Sequence, residues 1–164
     1  MNQLEVIKSK IIDHHHLLNQ VAIWRFQDKK IVWTNGCFDL LHLGHIDYLS
    51  KAKDQGDILV VGVNTDDSVK RIKKEGRPIT DEKSRSIIIA SLRFVDAVVL
   101  FDEDTPYNMI KLIQPDVLVK GSDYKAEDIV GYDIVKARGG QIVTIDFLPG
   151  YSTTTIEEKI KKAL

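Results

Sequence analysis

The chain has 164 residues, 43% hydrophobic and 29% charged, with a formal net charge of −1. That length predicts one domain with room for a real core, and the near-neutral balance argues against a general nucleic-acid or membrane-surface role. No apolar run approaches the ~20 residues that span a bilayer, no basic stretch precedes an apolar core at the N-terminus, and the single cysteine, Cys37, rules out an internal disulfide and suits a reducing cytosol.

Residues 4–26 read as one semi-amphipathic helix, with Leu4, Ile7, Ile11, Ile12, Leu18 and Val21 as packing positions. Residues 1–28 are therefore expected to form a helical extension that docks on the domain or on a second subunit, giving a homo-oligomer, and residues 29–164 the domain itself. The triplet His14, His15 and His16 lies inside that helix. Successive helical residues point in different directions, so the three cannot ligate one ion and are expected on the surface. Strands are expected at 30–34, 58–63, 97–101, 116–119 and 141–147, and helices at 44–55, 81–94, 105–113, 126–138 and 153–163. The strands are short and rich in Val and Ile without strict alternation, as strands buried on both faces are. Their alternation with helices predicts an α/β fold, a doubly wound five-stranded parallel sheet of Rossmann-like type with the N-terminal extension added.

In such sheets ligands bind beyond the carboxyl ends of the strands, where strand order reverses. The segment after the first strand runs Gly36-Cys37-Phe38-Asp39-Leu40-Leu41-His42-Leu43-Gly44-His45. A glycine-bearing turn between strand and helix holds anions, because free N–H groups and the helix dipole point at them. His42 and His45 are three apart and share one face of a first helical turn, and Gly44 between them lets a ligand approach the backbone. Cys37 reads as a small filler rather than a nucleophile, since nothing nearby signals thiol activation.

After the second strand, Asn64 and Asp66 precede five cations in eight residues, Lys70, Arg71, Lys73, Lys74 and Arg77, read as a mobile basic loop that contacts phosphate. Thr80 is expected to cap the next helix, with Arg85 one turn in. After the fourth strand come Lys120, Gly121, Asp123 and Tyr124. Gly121 permits a sharp turn, Asp123 offers a hydrogen-bond acceptor to a base or sugar, and Tyr124 offers a ring to stack. Near the end, Ser152, Thr153 and Thr154 supply hydroxyls to phosphate at a helix start, and Thr154 with Glu157 fits a capping box. No Cys/His cluster has zinc spacing, and no metal ligand is assigned.

The pattern Gly-x-Phe-Asp-x-x-His-x-Gly-His resembles the signature of the HxGH nucleotidyltransferases. Residues 30–160 are similar, within that superfamily, to the adenylyltransferase domains that make ADP-heptose for lipopolysaccharide cores. The likeness is carried by residues 34–39, 42–45, 63–66, 76–78, 95–96, 116–124 and 152–154. The resemblance implies a reaction of ATP with a heptose 1-phosphate (D-glycero-β-D-manno-heptose 1-phosphate) to give ADP-heptose and pyrophosphate. It implies His42, His45 and Arg85 as catalytic phosphate contacts. It implies Gly36, Cys37, Phe38, Gly44, Lys120, Gly121, Asp123, Tyr124, Ser152, Thr153 and Thr154 as nucleotide contacts, and Asp39, Asn64, Asp66 and Lys73 around the sugar phosphate. Mg²⁺ is expected to arrive with ATP. Many similar domains are fused behind a sugar kinase, so a separate kinase is expected to supply the sugar 1-phosphate. Two other readings stand beside this one, a CTP-dependent enzyme acting on an alcohol phosphate such as glycerol 3-phosphate, and a non-catalytic nucleotide-binding domain.

Overall fold

In a computed structural model, which describes residues 2–163, five parallel strands form one sheet. They are β1 (Ile31–Gly36), β2 (Ile58–Asn64), β3 (Ala97–Phe101), β4 (Val117–Gly121) and β5 (Gln141–Ile145), in the order β3-β2-β1-β4-β5. β1 lies between β2, in register from Ile31 opposite Ile58 to Gly36 opposite Val63, and β4, where Val32 faces Val117. The strand order therefore reverses beside β1, and the expected doubly wound fold is the one observed.

Helices cover both faces, as a parallel sheet requires. They are α1 (Gln3–Ser9), α2 (His14–Phe26), α3 (Leu43–Lys53), α4 (Asp66–Ile72), α5 (Glu82–Ser91), α6 (Tyr107–Ile113), α7 (Tyr132–Ala137) and α8 (Thr153–Ala163), with a short 3₁₀ turn at Ala126–Asp128. Because alternate strand residues point to opposite faces, Ile31, Trp33, Val60 and Leu118 are buried with Leu17, Val21 and Trp24 of α2 and with Met109, Ile110 and Ile113 of α6. Val32, Leu59, Val61 and Val119 are buried on the other face with Leu49 and Ala52 of α3 and with Ile89 and Ala90 of α5.

The single helix expected over residues 4–26 is two helices. Between them residues 10–12 run along the outer edge of β3: Val98 N–H donates to the Lys10 carbonyl (2.8 Å), and Ile12 N–H donates to the Val98 carbonyl (3.0 Å). Asp13 then caps α2 by accepting from His16 N–H. Pairing with an open strand edge outcompetes helix continuation. The histidine triplet is exposed.

The expected basic loop begins as α4. Thr65 caps it, Asp66 and Asp67 occupy its first turn, and Lys70 and Arg71 its last, a charge order that suits the helix dipole. Asp81 rather than Thr80 caps α5, accepting from Ser84 N–H. Ser152 rather than Thr154 opens α8, its hydroxyl accepting from Thr155 N–H. β1 and β4 each run two residues beyond the expected end and β5 stops two short. These shifts place Asn35, Lys120 and Gly121 on rigid strand ends and free Phe147 to turn over the sheet.

Candidate active site

The reversal beside β1 opens a cleft of about 690 Å³ at the carboxyl ends of the strands. Its floor is the turn from β1 to α3. Phe38 and Leu40 both take positive φ there (50° and 53°), which folds the chain back tightly. His42 stands at the N-cap of α3 with extended backbone (φ −137°) and makes no side-chain cap bond. Its ring is thus free of the helix it introduces, and it stacks on His45 with centroids 3.8 Å apart and planes 21° apart. Phe38 meets the other side of His45 edge-on at 5.5 Å. The Nδ1 atoms of both histidines are buried without a partner among the described residues.

Burial, together with the neighbouring imidazole of His42, pushes the His45 pKa down to about 4. Burial also lowers that of His42. Both rings are neutral at neutral pH in the free protein, so each has one N–H to donate and one nitrogen to accept. A side chain at Gly44 would be tight: a Cβ there would lie 3.0 Å from the His42 ring and 3.2 Å from Tyr151 Cβ, so these neighbours would have to give by a few tenths of an ångström.

Across the reversal, Lys120 reaches back from the end of β4 and donates to Asn35 Oδ1 on β1. Burial lowers its pKa to about 8, with Asp123 acting in the opposite direction. Tyr48 of α3 ties the same strands: its hydroxyl shares a hydrogen bond with Thr34 Oγ1 (2.8 Å) and donates to the Val119 carbonyl (3.2 Å). Phe147 stacks over Tyr48 at 6.0 Å while remaining 56% exposed. It covers Gly121 so closely that a Cβ there would fall 2.2 Å from its ring. Phe147, Leu148, Tyr124, Ile129 and Val130 give the β4–β5 end of the cleft most of its apolar surface, beside Asp123 and Asp128, whereas Asn64, Lys73, Asp104 and Thr105 make the β2–β3 end more polar, beside Ile72 and Pro106. Such a division suits a flat heterocycle at one end and a phosphorylated polyol at the other.

Most residues singled out in the sequence line this cleft: Gly36, Cys37, Phe38, His42, Gly44, His45, Asn64, Lys73, Lys120, Gly121, Asp123, Tyr124, Ser152 and Thr153. Burial raises the Cys37 thiol pKa, which disfavours a thiolate and fits a filler. Four residues are placed elsewhere. Arg85, expected at phosphate, is 1% exposed beneath the floor. It donates to the carbonyls of Thr80 (3.0 Å), Cys37 (2.6 Å) and Asn64 (2.8 Å) and to Asp66 Oδ1 (2.8 Å). Asp66 is therefore its counter-ion, bonded through Oδ1 with its side chain 28% exposed. Asp39, also expected near the sugar phosphate, is buried and accepts from Arg77, from Ile79 and Thr80 N–H, and from the Thr80 hydroxyl. Thr154 is exposed outside the lining. Asn35, Tyr48, Phe147 and Tyr151 are among further lining residues that the sequence did not single out. Phe147 was hidden inside an overlong strand, whereas Tyr48, one turn after His45 on the same helix, was open to being found.

Comparison with known proteins agrees with this architecture. The chain belongs to the cytidylyltransferase-like family, whose model matches residues 33–159. It is 53% identical over 152 residues to the bifunctional protein HldE of Citrifermentans bemidjiense, covering 93% of this chain and 31% of that protein. It is 55% identical over 155 residues to the bifunctional protein HldE of Geobacter metallireducens, covering 94% and 32%. The chain thus spans about a third of the length of these curated relatives. Among solved structures it is similar to the lipopolysaccharide core biosynthesis protein from Thermoplasma volcanium GSS1, with a TM-score of 0.60 and 33% identity over 73% of this chain and 97% of that one.

Proposed function

We propose that the protein is a nucleotidyltransferase that joins ATP to a heptose 1-phosphate, releasing pyrophosphate and ADP-heptose for a surface-glycan precursor. The observation that carries this reading is the stacked His42–His45 pair at the start of α3, across the strand reversal from Lys120. The likeness to a lipopolysaccharide core biosynthesis protein supports the sugar assignment.

In this reading the apolar β4–β5 end takes the base, and the polar β2–β3 end takes the sugar phosphate. A phosphate monoester is largely dianionic at neutral pH, with a second pKa of ~6. Its oxygen attacks the α-phosphorus of ATP in line as the bond to pyrophosphate breaks, and no strong general base is required. His42 and His45 donate ring N–H groups to the phosphate oxygens, the first N–H groups of α3 add their dipoles, and the Lys120 ammonium neutralises charge. Rate enhancement is positioning plus stabilisation of charge on the α- and β-phosphates. The hydroxyl of Ser152 holds the triphosphate from the far wall, beside Thr153, whose own hydroxyl is tied to the Asp39 carbonyl.

A divalent cation such as Mg²⁺ comes with the triphosphate and offsets charge on its oxygens when bound. The donor set fits such delivery. The imidazoles of His42 and His45 are poor partners for a hard cation, which favours its staying on the phosphate oxygens.

The acceptor has to come from a kinase reaction that phosphorylates the anomeric oxygen. A homo-oligomer formed through the exposed Leu18, Ile23 and Phe26 of α2 and a cytoplasmic location complete the proposal. No helix among the described residues is long and apolar enough to cross a membrane.

The test is pyrophosphate release with Mg²⁺ and each nucleoside triphosphate, with and without heptose 1-phosphate. Release that requires ATP and the heptose together is the expected result. Release with CTP and glycerol 3-phosphate but not the heptose would overturn the substrates and keep the chemistry. No release with any pair would leave a nucleotide-binding domain.

A further inference from the structure

We propose that Arg77 is a positioning residue: by bridging Asp39 and Glu157 it holds the start of α8, and with it Thr153, against the His42–His45 turn. Arg77 Nη1 donates to Asp39 Oδ2 and Nη2 to Glu157 Oε1, both at 2.9 Å. The three side chains are largely screened from water, at 10%, 6% and 16% exposure. The remaining capacity of Asp39 is taken by Ile79 and Thr80, so the carboxylate pins residues 77–80 beneath the turn. Lys74 adds a second cation to Glu157 at 3.1 Å.

Helix α8 has little else to hold it. None of its residues is buried, as in α1, so the burial that anchors helices α2 to α7 is missing. Its ties to the domain sit at one end: the Thr153 hydroxyl donates to the Asp39 carbonyl (2.8 Å), Tyr151 Cβ abuts the space above Gly44, and Glu157 meets Arg77 and Lys74. Asp39 thus serves both halves, its carboxylate taking the cation that holds Glu157 and its carbonyl taking the hydroxyl one turn earlier on the helix. A shielded ion triad of this kind adds little net stability, because desolvation offsets attraction, but it fixes register. What it registers here is a hydroxyl-bearing wall of the cleft.

Two measurements test this, and only the second rests on the nucleotidyltransferase reading. Hydrogen exchange of the unliganded protein is compared with that of Glu157→Gln and Arg77→Met. The clasp requires exchange over residues 153–163 to rise about tenfold in both, as expected for loss of a charge-assisted hydrogen bond. In Glu157→Gln, which leaves Arg77 on Asp39, the strands stay unchanged and the melting temperature stays within about 4 °C, whereas Arg77→Met also strands the buried Asp39 carboxylate and lowers overall stability. Then kcat/KM for ATP is expected to fall about tenfold to a hundredfold, the scale of a small misplacement of contact groups, and Arg77→Lys is expected to recover part of it. Unchanged exchange in α8 would overturn the clasp, and so would faster exchange spread over the whole domain in Glu157→Gln, which marks a merely structural pair. Faster exchange in α8 with normal kcat/KM would overturn the positioning role. Absence of turnover in the unmodified protein would overturn the reading of the function, leaving the exchange result to decide the clasp.

Discussion

His42 lies outside α3 and His45 inside it, yet their rings stack at 3.8 Å. A residue at the N-cap keeps extended backbone, so its side chain swings back over the first turn rather than radiating from the helix axis. The two imidazoles therefore form one surface, with Gly44 beneath the His42 ring and Tyr151. His42→Ala and His45→Ala are each expected to fold normally and to lower turnover about 100- to 1,000-fold, the usual cost of one donor to developing charge. Circular dichroism with the pyrophosphate assay checks both halves. Full activity in either variant would remove that ring from the chemistry.

His45 also ties stability to pH. Its ordinary pKa of 6.5 falls to about 4 in the folded protein. Between those values the unfolded chain binds a proton that the folded chain does not, so stability is complete above pH 6.5 and drains away as pH falls toward 4. The loss amounts to at most about 3 kcal/mol. Urea titrations at a series of pH values are expected to show this slope, and His45→Gln is expected to flatten it. An unchanged slope in the variant would assign the acid sensitivity to other groups.

Lys120 gives an alkaline counterpart. Its ammonium loses its proton near pH 8 in the free protein, and only the charged form attracts the triphosphate. Since kcat/KM reports the free enzyme, the profile for ATP is expected to decline above a midpoint near 8. Lys120→Arg keeps its charge past pH 12 and is expected to lose that decline. A decline that persists in the arginine variant would place the titration elsewhere.

Arg85 makes the opposite kind of prediction. Its guanidinium joins the turn after β1, the end of β2 and the start of α4 beneath the cleft. Arg85→Met leaves Asp66 without its cation and three carbonyls without their donor. Thermal or denaturant unfolding is expected to show a loss of about 3–5 kcal/mol. Normal stability with weaker ATP binding would instead return Arg85 to the phosphate.

The contrast between Arg85 and His45 shows what the sequence could and could not tell. The parallel sheet was legible because strands buried on both faces are written as unbroken Val and Ile runs, and His42, Gly44 and His45 because they sit within one turn of each other. Local spacing says where on the chain a cation falls, not whether it points up into a cleft or down into the floor. For Arg85, Asp66 and Asp39 that choice is made by partners 19 to 48 residues away. The break in the N-terminal helix was hidden for a similar reason. Residues 10–12 leave the helix for a strand edge 85 or more residues further along the chain. Thr65, by contrast, capped a helix in plain view, and the run of cations that followed masked it.

The segment that breaks that helix also covers an exposed flank. β3 is an outermost strand, and its outward groups at Val98 are taken by Lys10 and Ile12, with the Leu100 carbonyl meeting His14 Nε2 at 3.0 Å. Bare edges of this kind template pairing with other chains. A chain cut before residue 13 would keep every residue of the cleft and still present a sticky border, so its first failure in solution would be clumping rather than a loss of chemistry.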